Sequence, residues 1–353
     1  MNADLLEVLA CPTCHSTALR VETLKGSARA VREGVVWCER RHWFPVEDRV
    51  LEFLPPGLHY GADRKAFSRR RAGELKALDL LEEEPPTGET RRADELKAIE
   101  AQKTHFDWYA DNDRQAYTRY AAMPFWEIVD QRTSSAWNAK IRDELGTGGG
   151  PKRLLDVGCA QGRSALMIWP SGARILGFDV SKRMVQQAYA NLATLDGEES
   201  RHDFIVADGS RFPFRSSAFD YVLVYGVLHH LPDPATACHE IARVLKRGGT
   251  YFGSENNQTV LRGAFDLLQR LRPIWYEEAG AEPLIGASDL GRWFSATDVT
   301  LRTSATVFAP PHLVNVLGRR AGRLLLAWTD AVCHVIPFLR GQGGLILVEG
   351  TKR

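Results

Sequence analysis

Arg153-Leu154-Leu155-Asp156-Val157-Gly158-Cys159-Ala160-Gln161-Gly162-Arg163-Ser164 is the stretch on which the fold turns. An apolar run of β type stops at a glycine-bearing turn, and a helical pattern begins directly after it. Glycine at such a turn lets the backbone approach a ligand and take angles that other residues resist. Alone this is a weak signal, because dehydrogenases and ligand-free turns carry similar glycines. The next apolar run, Arg174-Ile175-Leu176-Gly177-Phe178, sharpens it by ending in Asp179, where a carboxylate can accept both hydroxyls of a ribose. A third run, Phe204-Ile205-Val206, leads into Ala207-Asp208-Gly209 and Arg211-Phe212-Pro213-Phe214. These place a carboxylate and an aromatic wall at the rim where an adenine would lie. Read by itself, Asp208 is also a helix cap or a loop residue.

Outward from there, β-type runs at 153–157, 174–178, 203–206, 221–224 and 250–253 alternate with helical patterns at 163–169, 182–195 and 235–245. The alternation predicts an α/β, doubly wound parallel sheet with helices on both faces. Segments 299–308 and 345–349 read as a closing antiparallel pair. Two insertions interrupt the pattern. The first, 256–286, carries an apolar-basic helix over 260–271; the second, 309–344, carries the runs 324–328 and 335–339, broken by Asp330, His334 and Pro337. The second falls short of the ~20 apolar residues of a spanning helix. It reads as a lid or a dimer face, and after those as a surface lying on a membrane with Arg319, Arg320 and Arg323 outward.

These segments together resemble class I S-adenosylmethionine (SAM)-dependent methyltransferases, especially the broad type 11-like group acting on small molecules and lipids. Leu155-Asp156-Val157-Gly158-Cys159-Ala160-Gln161-Gly162 is similar to the first motif of that family. Gly177-Phe178-Asp179-Val180-Ser181 resembles the second, and Ala207-Asp208-Gly209 with Phe212-Pro213-Phe214 the third. Phe219-Asp220-Tyr221-Val222 and Gly226-Val227-Leu228-His229-His230-Leu231 resemble the fourth strand and its exit, and Leu245-Lys246-Arg247-Gly248-Gly249 the turn into the fifth. The resemblance implies a Rossmann-like sheet of seven strands and SAM as donor. It further implies donor contacts from Asp156, Gly158, Cys159, Ala160, Gln161, Gly162, Asp179, Val180, Met184, Asp208, Gly209, Tyr225 and Tyr109. Ala160 departs from the commonest central glycine. Arg163 stands where a dehydrogenase has its third glycine, which ranks nicotinamide below SAM.

Methyl transfer from a sulfonium needs alignment of nucleophile, methyl carbon and sulfur, with a base where the nucleophile is protonated. His229 and His230 follow the fourth strand, where the resemblance places the methyl group, and neutral imidazole is suited to accept a proton. The alternative is that one of them only packs the Leu231-Pro232-Asp233 turn. His105-Phe106-Asp107-Trp108-Tyr109 resembles the N-terminal helix that folds over the donor, with Tyr109 and Trp108 either closing the site or simply packing.

Cys11-Pro12-Thr13-Cys14 and Cys38-Glu39-Arg40-Arg41-His42 supply two knuckle-like ligand pairs, as tetrahedral zinc requires. They are similar to the N-terminal zinc ribbon of bacterial 23S ribosomal RNA guanine methyltransferases, which implies Cys11, Cys14, Cys38 and His42 as ligands. Four filled positions leave none for water, so the Zn2+ is expected to be structural. The alternatives are His15 in place of His42, or a fold kept without metal. Such a ribbon can grip RNA through Arg40, Arg41 and Arg49, or pack on the main domain or a second subunit.

The 353 residues divide into a zinc-ribbon-like module (1–56), a charged, partly helical linker (57–104), a helical cap (105–150) and the main domain (151–353). With 45 basic and 44 acidic residues, the net charge of +1 gives no global field toward nucleic acid or acidic lipid. The start lacks the basic and apolar regions of a signal peptide, and six cysteines with three clustered at the start suit a metal better than disulfides. A cytoplasmic chain without a transmembrane segment is expected. The leading functional expectation is a methyltransferase for a small-molecule or lipid-like substrate, in a monomer or a homodimer. A ribosomal RNA base methyltransferase is the second reading, and a non-catalytic SAM-binding partner protein the third.

Overall fold

The computed structural model describes residues 1–27, 29–80, 93–112, 122–146, 152–196, 202–260, 267, 271 and 283–353. The strands are β1 (Leu19–Ser27), β2 (Ala30–Cys38), β3 (Trp43–Glu47), β4 (Val50–Glu52), β5 (Arg153–Val157), β6 (Arg174–Asp179), β7 (Asp203–Val206), β8 (Phe219–Tyr225), β9 (Leu245–Asn256), β10 (Val299–Thr306) and β11 (Leu345–Lys352). Among the described residues they form one mixed sheet of 11 strands, ordered β1-β2-β3-β4-β7-β6-β5-β8-β9-β11-β10. The seven-strand arrangement expected from the sequence is the part from β7 to β10. Within it β7, β6, β5, β8 and β9 are parallel, and β11 runs antiparallel between β9 and β10.

The helices are α1 (Gly61–Arg70), α2 (Ala72–Ala77), α3 (Ala93–Asn112), α4 (Pro124–Gly146), α5 (Arg163–Ile168), α6 (Lys182–Asp196), α7 (Pro234–Val244), α8 (Ala287–Phe294) and α9 (Pro311–Val335). Period-2 alternation along the strands divides the core into two layers. Leu155, Val157, Phe178, Val222 and Val224 pack with Ile241 of α7 and Leu290 of α8. Leu154, Ile175, Phe204, Tyr221 and Leu223 pack on the other face with Ile141 of α4, Ile168 of α5 and Val185 of α6.

The N-terminal strands are continuous with this sheet. β4 pairs in parallel with β7 through Leu51–Ile205 and Glu52–Val206. Leu5, Leu9, Phe44, Val46 and Phe53 join the same core as Val157 and Phe178. Ala10 N donates to Pro213 O at 2.9 Å, and the Arg215 guanidinium reaches Leu6 O, Leu9 O and Thr17 O at 3.2, 3.2 and 2.7 Å. The loop after β7 is therefore braced by the first seventeen residues.

β3 holds a proline, and two further features depart from the sequence reading. β3 is a strand despite Pro45, because Pro45 stands opposite Val35 on the β2 side, whereas the β4 pairing uses only Val46 and Glu47. Helix α3 runs through residue 104, where linker and cap were expected to meet. Asp330 was expected to interrupt the second insertion, yet α9 passes through it, and the kink falls at Gly318 with φ of 72°. Asp330 is tolerated there because it is buried and saturated, accepting from Thr306 Oγ1 (2.7 Å), Arg132 Nη2 (2.8 Å) and Phe308 N (3.3 Å). The helix expected over 260–271 lies outside the described residues except for Val260, Leu267 and Leu271. No helix among the described residues is long and apolar enough to cross a membrane.

Candidate functional site

The C-terminal ends of β5 to β9 converge on one pocket, roofed by α3 and walled by α4. Ligands of open parallel sheets bind at this end, where the strand order reverses. The β5 turn sets its floor. Gly158 has φ of +64°, and a Cβ there would stand 2.6 Å from Val227 Cγ2, so only glycine fits. Ala160 is also left-handed, with φ of 43°. Its N–H donates to Asp179 Oδ2 at 3.0 Å, and Ser181 N donates to Oδ1 at 2.9 Å. Burial pushes the Asp179 carboxyl up to about 6 against the pull of these two amides.

Gly158, Cys159, Ala160, Asp179, Val180, Asp208, Gly209, Tyr225, His229 and His230 all line the pocket. Asp208 is buried, and its Oδ1 accepts from Ser210 N at 2.8 Å, an Asx-type turn that shapes the rim. Five of the expected donor contacts stand outside the lining. Asp156 is fully buried behind the turn, accepts from Ser164 Oγ at 2.7 Å, and is pushed up to about 7 by burial. Gln161 gives its backbone carbonyl to Asn191 Nδ2 at 3.0 Å, and Gly162, with φ of 82°, caps α5. Met184 and Tyr109 are buried against one another, with Phe106 and Ala160 packed on them. From α3 it is Ile99, Gln102 and Phe106 that line the pocket, whereas Trp108 is 59% exposed.

The histidine pair is built around a carboxylate that sequence reasoning did not single out. Glu255, at the end of β9 and 1% exposed, accepts from Val227 N (3.0 Å) and Leu228 N (2.8 Å) with Oε1. Its Oε2 lies 2.7 Å from His229 Nδ1. With the two amides on Oε1, Oε2 faces Nδ1 as an acceptor, an arrangement that favours the His229 tautomer with its proton on Nδ1. The His230 ring lies edge-on to Phe106, with centroids 5.4 Å apart. Asp130 of α4 was missed as well: it pairs with Arg163 and accepts from Tyr225 OH at 2.8 Å. Asp107 pins α3 over α6, accepting from Ser181 Oγ (2.7 Å), Tyr60 OH (2.8 Å) and Arg183 N (3.2 Å). For Glu255 a signal existed, since an acid at the C-terminal end of a parallel strand points to the ligand side of the sheet.

In the N-terminal module, one ligand atom each from Cys11, Cys14, Cys38 and His42 lies within 4.8 Å of all the others. Cys14 Sγ to Cys38 Sγ is 3.7 Å, Cys11 Sγ to His42 Nδ1 is 3.6 Å, and Cys38 Sγ to His42 Nδ1 is 3.4 Å. Bonds of about 2.3 Å to sulfur and about 2.0 Å to nitrogen in a tetrahedron give edges near ~3.7 and ~3.5 Å, so the donor set fits zinc. His15 is outside the group; with φ of 57° it turns the first knuckle, as Arg41 with φ of 66° turns the second. None of the four lines the pocket. Arg41 binds Leu78 O at 2.8 Å and Asp79 at 3.2 Å, and the Arg49 guanidinium lies over the Tyr189 ring at 5.2 Å.

Residues 155–253 match a family profile described as a methyltransferase domain. Ubiquinone biosynthesis O-methyltransferase of Alkalilimnicola ehrlichii is 32% identical over 161 residues, covering 43% of this chain and 62% of that protein. The 27-O-demethylrifamycin SV methyltransferase of Amycolatopsis mediterranei is 34% identical over 98 residues, 28% of this chain and 36% of that one. Demethylmenaquinone methyltransferase of Staphylococcus aureus is 28% identical over 138 residues, 38% and 55% of the two chains. The chain thus spans between about a third and two thirds of the length of these curated relatives. Magnesium protoporphyrin IX methyltransferase of Synechocystis, solved with bound SAH, superposes with a TM-score of 0.50 at 12% identity, covering 71% of this chain and 100% of that one. The fold is that of an α/β methyltransferase.

Proposed function

We propose that this chain, whose central segment matches a methyltransferase domain, transfers a methyl group from SAM to a small-molecule or lipid-like acceptor, with His229 as the base. The observation that carries the reading is one pocket shared by the Gly158 turn, the Asp179 carboxylate and the His229–Glu255 pair. Small-molecule acceptors in the names of the relatives, including a ubiquinone pathway intermediate and a rifamycin, support the acceptor class.

The residues fit SAM. The left-handed Gly158 turn brings backbone to the pocket floor, Asp179 offers its remaining lone pairs to two ribose hydroxyls, and Asp208 stands at the rim for the adenine. When bound, SAM supplies an electrophilic methyl group on a sulfonium. Phe106, with Ile99 and Gln102 of the same helix, roofs the pocket and excludes water. Glu255 fixes the His229 tautomer and stabilises the imidazolium that forms when Nε2 takes the acceptor's proton. Cys11, Cys14, Cys38 and His42 hold a structural zinc ion. An RNA base as acceptor rests on the ribbon alone, and there two of its three candidate arginines, Arg41 and Arg49, are already engaged within the chain.

The test is incubation of purified protein with methyl-labelled SAM and a fractionated extract of its host. Label in the small-molecule or organic phase, lost on His229→Ala, is the expected result. Label in RNA overturns the acceptor class, and donor binding without any label overturns the activity.

A further inference from the structure

Of the fifteen large apolar side chains exposed among the described residues, nine lie between residues 313 and 338 and three more between 260 and 271. After the kink at Gly318, Leu324, Trp328, Val332 and Val335 recur at helical spacing along α9 and Phe338 follows its end, while Leu313 and Leu317 are exposed before the kink. Trp328 is 64% and Phe338 71% exposed. The opposite side of α9 is satisfied by α4. Phe125 N donates to Asn315 Oδ1 at 2.9 Å, Arg132 reaches Asp330 at 2.8 Å, and Arg319 pairs with Glu127 at 2.6 Å. The insertions meet at their bases, where Val260 N donates to Gln342 Oε1 at 3.0 Å.

Charge decides what covers this face. Segment 311–344 holds one carboxylate, Asp330, which is buried; Arg319 and Arg323 reach Glu127 and Gln131 of α4, while Arg320 and Arg340 are exposed with no acid on the segment beside them. A second copy related by a two-fold axis would set Arg320 and Arg340 against their like, with no exposed acid on the segment to answer them. An apolar helix face edged by arginines is instead complementary to a bilayer of anionic headgroups over acyl chains. α9 does not qualify as a spanning helix, so it would lie in the interface plane.

We propose that the exposed face of α9, continued by Phe338 and Arg340, docks on an anionic membrane surface. Its partner helix α4 lends Trp126 to the pocket, so the docked face and the pocket wall belong to one packed helix pair. The proposal stands on surface chemistry and does not depend on methyl transfer.

The experiment is co-sedimentation of the full chain with vesicles of phosphatidylcholine containing roughly one third phosphatidylglycerol, and with pure phosphatidylcholine. Binding to the anionic vesicles is expected, weakening at about 0.5 M salt, where surface charges are screened within a few ångströms. Leu324→Ser with Trp328→Ser, and separately Arg320→Glu with Arg340→Glu, should each weaken it by roughly tenfold or more. All four side chains are exposed, so the thermal unfolding and SAM affinity of both variants should match wild type. Absence of binding to anionic vesicles overturns the proposal, as does binding that neither variant weakens. A dimer dissociated by the apolar variant, without vesicle binding, overturns it in favour of a second copy.

Discussion

Replacing Glu255 by Gln tests the chemistry of the pocket with the smallest change in shape. In the wild-type chain Oε1 accepts from Val227 N at 3.0 Å and Leu228 N at 2.8 Å, and Oε2 stands 2.7 Å from His229 Nδ1. The amide oxygen of glutamine can keep both backbone donors. Its NH2 group then faces Nδ1, which must become an acceptor, and the ring proton moves to Nε2. A base that carries its proton on the wrong nitrogen is lost, at a cost of about 10²–10⁴ in rate, or about 3–5 kcal/mol of barrier. Stability should change by only about 1 kcal/mol, because no backbone donor is stranded. Glu255→Ala would instead strand two buried donors and a part-buried one, and destabilise by several times that amount. Turnover at saturating SAM gives the rate, with the acceptor found by label tracing. Long-range 15N–1H spectra of the His229 ring report the tautomer independently of any acceptor. A reversed tautomer with a turnover number within about threefold of wild type would refute the role of His229 as base.

Asp179 should make donor affinity depend on pH. Burial raises its carboxyl to about 6, and ribose hydroxyls bind best to the ionised form, so SAM affinity should be level above pH 7 and fall by up to about tenfold per unit below pH 6. Calorimetry from pH 5 to 8 should show this fall, and Asp179→Asn should flatten it while weakening binding at pH 7.5. Gly158→Ala forces a side chain into left-handed backbone and to 2.6 Å from Val227 Cγ2, so urea unfolding should report a loss of about 2–4 kcal/mol. Ala160→Gly has the opposite sign: relief of the left-handed strain at φ of 43° should stabilise by up to about 1 kcal/mol, net of glycine's extra unfolded entropy. Metal analysis should find one zinc per chain; Cys38→Ser or chelation should lower the Tm and speed hydrogen exchange at the Ala10 and Arg215 amides, which tie the ribbon to the rim loop.

The parts of the molecule legible in the sequence are those whose cause is local. Apolar runs ending at Gly158, Asp179 and Asp208 set strand ends at the pocket, because the turn chemistry is written in adjacent residues. Cys11, Cys14, Cys38 and His42 were legible for the same reason, since each ligand pair lies within one knuckle. What escaped was set by contacts distant in the chain. Glu255 matters because Val227, Leu228 and His229 surround it 26 to 28 residues earlier. Asp330 does not break α9 because Arg132, from 198 positions away, answers its charge. From α3 the resemblance pointed to Tyr109, but helix rotation is set by packing: Met184 takes Tyr109 and leaves Phe106 to the pocket.

The N-terminal module makes most physical sense as a solution to an edge. β7 is buried along its whole length, and without β4 it would end the sheet as an unpaired apolar strand of the kind that pairs with other chains. β4 covers it through Leu51 and Glu52, and β2 and β3 carry the sheet outward to β1. The new edge, β1, carries Arg20, Glu22 and Lys25, and its last three residues are exposed. The other edge, β10, is likewise polar at its exposed positions Thr300, Arg302, Thr303 and Ser304. Short strands such as β4, of 3 residues, hold a register poorly alone. The Cys38–His42 knuckle ties the end of β2 to the start of β3, and Cys11 and Cys14 tie both to the segment bracing Pro213 and Arg215. A four-ligand zinc ion at that junction would act through sheet geometry, which accounts for its ligands lying outside a pocket whose rim loop they help to hold.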